Sequence, residues 1–329
     1  MPPLRLSLAC VPNYDRTGPL LEGRTQPEGI EFAPRTAVTR PSELFRRIAQ
    51  DGEFDVSEMS VSTFLVMLTR GDDRYVGLPI FLSRSFRHGF IFVNTNSGIG
   101  QPKELFHARI GVTEYQQTAA VWIRSFLHDD YGLHPEDLEW VEGGLEGYRP
   151  ERLAVELPKH VRLQRIQPGQ NLDAMLQAGE IDALLGASVP PSFRQGVPHV
   201  QRLFPDYRAV ERDYYRRTGY FPIMHMVVLR RAIYEQHPWV AHAIYDAFER
   251  VKTQALARLW EVGSLAVSLP WLLPDWEEVQ TVFGGDAFPY GLAKNRATLE
   301  YLLGISHAEG LSARAVRVKE LFVRELWET

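Results

Sequence analysis

Short extended runs alternate with helical patterns from one end of this chain to the other, and that alternation constrains the fold more than any single motif does. LRLSLAC and GIEFAP read as strands, PSELFRRIAQDG as an amphipathic helix closed by a glycine, DVSEMS as a strand and VSTFLVMLTRG as a helix. YVGLPIF and HGFIFVNT are extended, Gly98 to Pro102 makes a turn, and RIGVTEYQQTAAVWIRSFLHDDYG reads as strand, loop and helix closed at Gly132. VRLQRI, NLDAMLQAGE (opened by an Asn171 cap) and IDALLGAS continue the pattern. Strands that alternate with helices need crossover connections, so the expected class is α/β with mostly parallel strands.

At 329 residues the chain exceeds what one core usually carries, so two lobes are expected. FIFVN near residue 91 and MVVLR near residue 227 are the candidate passages between them. That places lobe 1 at 1–94 and 224–329 and lobe 2 at 95–223, with a ligand cleft at strand carboxyl ends and helix amino ends. In HPWVAHAIYDAFERVKTQALARLWE, Val240, Ile244, Phe248, Val251, Ala255 and Leu259 share one helical face.

A net charge of −5 over this length leaves no basic footprint, so neither nucleic acid nor an anionic membrane is an expected partner. No run approaches the ~18 apolar residues that span a bilayer. The single cysteine, Cys10, excludes an intrachain disulfide framework and a multi-cysteine metal site. Arg5 interrupts the only apolar stretch near the start and leaves residues 6–9 as the whole hydrophobic segment, too short for an export signal. A first strand with Leu4, Leu6, Leu8 and Cys10 on one side is the expectation instead, and the cytoplasm the expected location.

Loops that follow strands are the places for chemistry, because a rigid sheet aims them. SRSFRHG gathers Arg84, Arg87 and His88; two guanidinium forks and a group that titrates near neutrality suit a dianionic acid. A solvated loop in which an arginine pairs Glu58 or Asp55 explains the same spacing. In TEYQQT, Thr113 or Glu114 is expected to open a helix whose free N–H groups favour an anionic oxygen, with Gln116, Gln117 and Thr118 adding donors. Glu58 of SEMS follows an apolar strand end, where desolvation raises a carboxyl pKa towards acid/base use. His225 sits among apolar residues in PIMHMVV, a setting that suits a hydrogen-bonded structural histidine as well as a catalytic one. There is no HExxH, no phosphate loop and no nucleophile elbow.

LSLA with NYDR, FDVSEMSVS, PIFLSRSFRHGFIFVN, GVTEYQQTAAVWIRSFLHDDYG, EIDALL, RLFPDY with DYYRRTGYFPIMHMVV, HPWVAHAIYDAFE and FPYGLAKNRATLEYLL, taken in order, resemble the 4,5-dihydroxyphthalate decarboxylases. The resemblance implies a two-lobed, type 2 periplasmic-binding-protein-like fold with two crossovers. It also implies a small aromatic dicarboxylate substrate and decarboxylation without an obligatory cofactor, a divalent metal being compatible but not required. On that basis Arg84, Arg87 and Arg16 hold carboxylates, His88 donates the proton, and Glu58 or His225 takes or shares the phenolic proton. Tyr14, Ser60, Glu114, Gln116, Thr118 and Ser188 complete the substrate site. Two other readings stand beside it: a solute-binding protein for an organic acid, and a related two-lobed enzyme for another acid, since fold does not separate them. Assembly into a homo-oligomer is left open.

Overall fold

The structure is a computed structural model that describes residues 2–147 and 157–329. The chain divides into two compact units, each with its own sheet: Met1–Arg84, Ile223–Leu299 and Val316–Thr329 form the first, Ser85–Pro222 and Glu300–Ala315 the second.

The first unit is built on β1 (Leu4–Cys10), β2 (Ile30–Ala37), β3 (Val56–Ser60) and β4 (Tyr75–Arg84), completed by a strand from the far end of the chain. In chain order that strand is β11 (Ile223–Arg230), because six strands of the second unit intervene. The sheet order is β2-β1-β3-β11-β4; β1 runs parallel to β2 and β3, while β11 runs antiparallel to β3 and β4. The carboxyl ends of β1, β3 and β4 therefore share one edge with the amino end of β11. The expected inward face of β1 is borne out from Leu6 onward, with Leu6, Leu8 and Cys10 buried. Ser7, on the other face, is held by Asp55, which accepts from both its amide and its hydroxyl at 2.9 and 2.7 Å.

The second unit contains β5 (Ile91–Asn94), β6 (Arg109–Val112), β7 (Glu139–Glu142), β8 (Arg162–Arg165), β9 (Ala183–Leu185) and β10 (Val200–Arg202) in the order β10-β5-β9-β6-β7-β8. FIFVN is thus not a passage between units. It is β5, paired antiparallel to both β9 and β10, and those pairings satisfy its backbone inside this sheet. The chain leaves the first unit ten residues earlier than expected, at Arg84, and re-enters it at Ile223. Residues 300–315 return once more to the second unit, which the two-passage expectation did not include. Burial explains their allegiance: Glu309 accepts from Arg124 Nε and Nη2 at 3.0 and 2.6 Å, and Arg124 lies 4.0 Å over the Tyr115 ring. Removing one partner of such an enclosed pair costs about 3–5 kcal/mol, because the other charge is stranded.

The long helix Val240–Ala257 buries the predicted Val240, Ile244, Phe248, Val251 and Ala255; Leu259 falls beyond its end. Residues 190–222 hold a helix the sequence reading did not place, Tyr207–Thr218, capped by Asp206, whose side chain accepts from the Ala209 amide, and closed at Gly219. Among the described residues no helix is long and apolar enough to cross a membrane.

Candidate active site

The shared strand edge of the first unit assembles one triangle of titratable groups. Across the β3–β11 ladder His225 faces Ser60 and Val227 faces Glu58, so Glu58 and His225 are diagonal neighbours on one side of the sheet. Such positions lie roughly 7–8 Å apart at Cα, a gap that a glutamate and a histidine close together. They close it here: His225 Nδ1 is 2.7 Å from Glu58 Oε1. The turn after β1 adds two donors, the Val11 amide to Glu58 Oε2 at 2.9 Å and the Tyr14 hydroxyl to Oε1 at 2.8 Å.

Glu58 is 0% exposed, and three donors converge on it. The Glu58 carboxylate engages Nδ1 of His225, which leaves the opposite ring nitrogen, Nε2, for another partner. His225 keeps 16% of its side chain exposed and rests edge-on against Phe45, with ring centroids 4.8 Å apart, while Glu58 behind it is sealed. Burial, reinforced by the Glu58 charge, pushes the Tyr14 phenol well above its ordinary range, so Tyr14 serves as a donor and not as a base.

Two buried arginines reach the same edge. Arg16 Nη2 donates to the Leu82 carbonyl and Nη1 to Asp15 at 2.7 Å, and its guanidinium lies 4.6 Å over the Phe288 ring and 5.2 Å from that of Tyr14. Arg84, the last residue of β4, donates through Nη2 to the side-chain oxygen of Asn295 and to the Pro289 carbonyl. Ser60 lies directly across from His225, but its hydroxyl accepts from the Thr63 amide as the cap of the helix Val61–Thr69.

SRSFRHG does not behave as one cluster, because the division at Arg84 splits it between units. In the second unit His88 is 1% exposed and stacked on Phe126 at 3.9 Å, with Phe204 and Tyr214 around it. Burial, and to a lesser degree Arg217, lowers its pKa to about 3, and neither ring nitrogen has a hydrogen-bond partner among the described residues. A neutral imidazole packed between aromatic rings is a poor proton donor at neutral pH, and this environment argues against the expectation that His88 is the donor. Next to it, Arg87 lies over the Phe90 ring. Glu211 accepts from the Gly89 amide at 3.1 Å, and burial raises its carboxyl pKa to about 7.

The remaining candidates gather at the second sheet's own edge. β6 and β9 are parallel neighbours, Val112 opposite Leu185, so the loop with Glu114, Gln116 and Thr118 emerges beside the loop with Ser188. Gln116 and Thr118 are buried, and Ser188 is exposed. The helix starts at Thr118, not at Thr113 or Glu114. A turn delays it: the Gln117 amide bonds the Glu114 carbonyl, and the Glu142 carboxylate captures the Tyr115 amide at 2.9 Å.

Sequence reading assigned nothing to Phe288 or Asn295. Asn295 stands directly before the helix Arg296–Ala308 and looks like a cap, yet its amide group points back to Pro289 and Gly291. Among the described residues no group of three His, Cys, Asp or Glu side chains is placed to hold a metal ion.

Comparison with known proteins bears on the family and on the fold. The chain is 38% identical over 323 residues to the 4,5-dihydroxyphthalate decarboxylase of Comamonas testosteroni, which covers 98% of this chain and 97% of that protein. It is 38% identical over 218 residues to the enzyme of the same name from Pseudomonas putida, covering 66% of this chain and 83% of that protein. No protein-family model matches. Among solved structures, the periplasmic aliphatic sulphonate binding protein SsuA of Escherichia coli superposes with a TM-score of 0.55 at 13% identity, covering 99% of this chain and 100% of that one. The fold is therefore the two-lobed, type 2 periplasmic-binding-protein-like one.

Proposed function

We propose that this chain, which belongs to the 4,5-dihydroxyphthalate decarboxylase family, converts 4,5-dihydroxyphthalate to protocatechuate and CO2. Each carboxylate-bearing ring carbon of that substrate has a hydroxyl para to it. When the phenol gives up its proton to water, the oxygen lone pair pushes density onto that carbon. Protonation there breaks aromaticity; the bond to the carboxylate then cleaves, CO2 leaves, the bonding pair restores the ring and the phenolate, and the phenolate takes its proton back from water. One proton is consumed at carbon and one carboxylate is lost, so no oxidant or reductant takes part.

What the reaction needs from the protein is a proton held beside the ring and positive charge for the carboxylates. The observation that carries the chemical reading is the Tyr14–Glu58–His225 triangle. Buried Glu58 stabilises the imidazolium, Tyr14 supports that carboxylate, and Nε2 of His225 delivers the proton and is recharged from water. General acid catalysis of this kind contributes about 10²–10⁴-fold. Arg84 supplies the charge, held by the Pro289 carbonyl, the Asn295 side-chain oxygen and the Phe81 ring, with Arg16 beside it on the same edge, itself paired with Asp15.

The deciding experiment incubates purified protein with 4,5-dihydroxyphthalate, with and without a chelator, and follows CO2 and protocatechuate. Stoichiometric release of both is the expected result. Tight binding of the acid without product would overturn the reading and favour a solute-binding protein.

A further inference from the structure

The segment that joins the helix Val240–Ala257 to the helix Leu272–Phe283 leaves its apolar side chains in solvent. Among the described residues nine large hydrophobic side chains are exposed, and six of them, Trp260, Val262, Leu265, Val267, Leu269 and Trp271, fall within twelve positions. Scattered apolar residues on a surface need no explanation, but a cluster does. Trp271, at 71% exposed, is the extreme case. The run VGSLAVSLPWLLP over 262–274 holds no charged residue, which sets it apart from an ordinary solvated connection.

The cluster forms one face. The Val262 amide donates to the Trp260 carbonyl at 3.0 Å and the Leu269 amide to the Val267 carbonyl at 2.8 Å, so the backbone turns on itself near both ends. Leu272 and Trp276 are buried just beyond the segment, and the Trp276 ring meets that of Trp260 edge-on at 6.3 Å, which brings the two ends together. At roughly 150–250 Å² for a whole aromatic side chain and somewhat less for Val or Leu, the six exposed fractions amount to about 600 Å². Gly263, Ser264, Ser268 and Pro270, exposed between them, bring the face close to the ~800 Å² that each partner buries in a stable protein interface.

Its chemistry selects the occupant. Insertion at an anionic membrane surface draws on basic residues at the rim, and here the flanking charges are Glu261, Asp275, Glu277 and Glu278 against Arg258 alone. An uncharged apolar face meets no like-charge repulsion from a copy of itself. Two copies related by a two-fold axis present the same patch to each other, and the area they bury together then reaches the standard size of a dimer interface.

We propose that residues 260–271 form a two-fold contact with a second copy of this chain, with Trp260 and Trp271 as its anchors. This goes beyond the decarboxylase reading and stands whether or not that reading holds.

The test measures the mass of the purified full chain by light scattering after size-exclusion chromatography, at about 10 µM, above the micromolar upper end of dissociation constants for an interface of this size. Wild type is expected at no less than twice the 37.6 kDa of one chain. Trp271→Glu, which puts a charge into the contact, is expected at half the wild-type mass or less. Phe106→Glu, the same kind of change at an exposed aromatic of the second unit, is expected to keep the wild-type mass. Wild type at the mass of one chain, or a folded Trp271→Glu variant that keeps the wild-type mass, overturns the proposal. Co-sedimentation of a single-chain wild type with vesicles of phosphatidylcholine and phosphatidylglycerol would overturn it in favour of a membrane surface. Should Trp271→Glu fail to fold by circular dichroism, Leu269→Lys takes its place under the same two outcomes.

Discussion

Two histidines, one in each unit, carry the same side chain into opposite chemistry. His225 in the first unit meets a fully buried carboxylate at 2.7 Å and keeps part of its ring exposed. His88 in the second is stacked on Phe126 inside an aromatic cage, with its pKa lowered to about 3. A carboxylate at one ring nitrogen fixes the ring and leaves the other nitrogen for another partner, whereas an aromatic cage disfavours the cation. Proximity to arginine in the chain, which favoured His88, says nothing about either environment.

The comparison is most directly broken at the first unit. His225→Gln keeps a hydrogen bond to Glu58 but offers no exchangeable acid; kcat is expected to fall about 10²–10⁴-fold with phthalate affinity within about 3-fold of wild type. Steady-state kinetics together with calorimetry separate the two quantities, and a loss confined to affinity would place His225 in binding instead. Next in size, Arg84→Met removes one charge-assisted contact worth about 1.5–3 kcal/mol, which should raise KM on the order of 10–100-fold. A change in kcat alone would contradict the carboxylate role.

His88 offers the converse test, in stability. The folded state holds it neutral down to about pH 3, while the unfolded chain takes up a proton near its ordinary pKa of about 6.5. Stability is therefore lost as pH falls from about 6.5 towards 3, by about 2 kcal/mol at pH 5 relative to neutrality. His88→Phe should abolish that loss in urea titrations at pH 7 and pH 5; an unaltered slope would show that His88 is not buried neutral. Glu211 carries the opposite sign at a similar size. Its folded pKa of about 7 lies above its unfolded value, so its contribution is present below about pH 4.5 and is lost as pH rises to 7. Glu211→Gln should flatten that decline by up to about 2 kcal/mol between pH 5 and pH 7, read from the same titrations.

Much of the fold was legible because backbone signals are local. β1 shows its alternation in LRLSLAC, Asn171 caps its helix by accepting from Ala174, and Gly132 closes its helix at φ +70°. Unit boundaries were less legible, since whether FIFVN joins one sheet or links two depends on β9 and β10, about 90 and 110 residues further on. The site divides the same way. Tyr14, Arg16, Glu58, Arg84 and His225 were all named from loop position and residue type, but their grouping was not. The Glu58–His225 contact spans 167 positions and exists only because β11 inserts between β3 and β4. The environment of His88 was not legible because its cage comes from Phe126, Phe204 and Tyr214, none of them nearby in the chain. Asn295 escaped notice because its partner Arg84 lies 211 positions away in the chain.

The central claim is that the proton at carbon comes from the Glu58–His225 pair. It is tested most directly by CO2 release from 4,5-dihydroxyphthalate at neutral pH, measured side by side for wild type, His225→Gln and His88→Phe. The account predicts that His88→Phe stays within about 3-fold of wild type while His225→Gln falls at least about 100-fold. The reverse order, with His88→Phe inactive and folded and His225→Gln active, would contradict it.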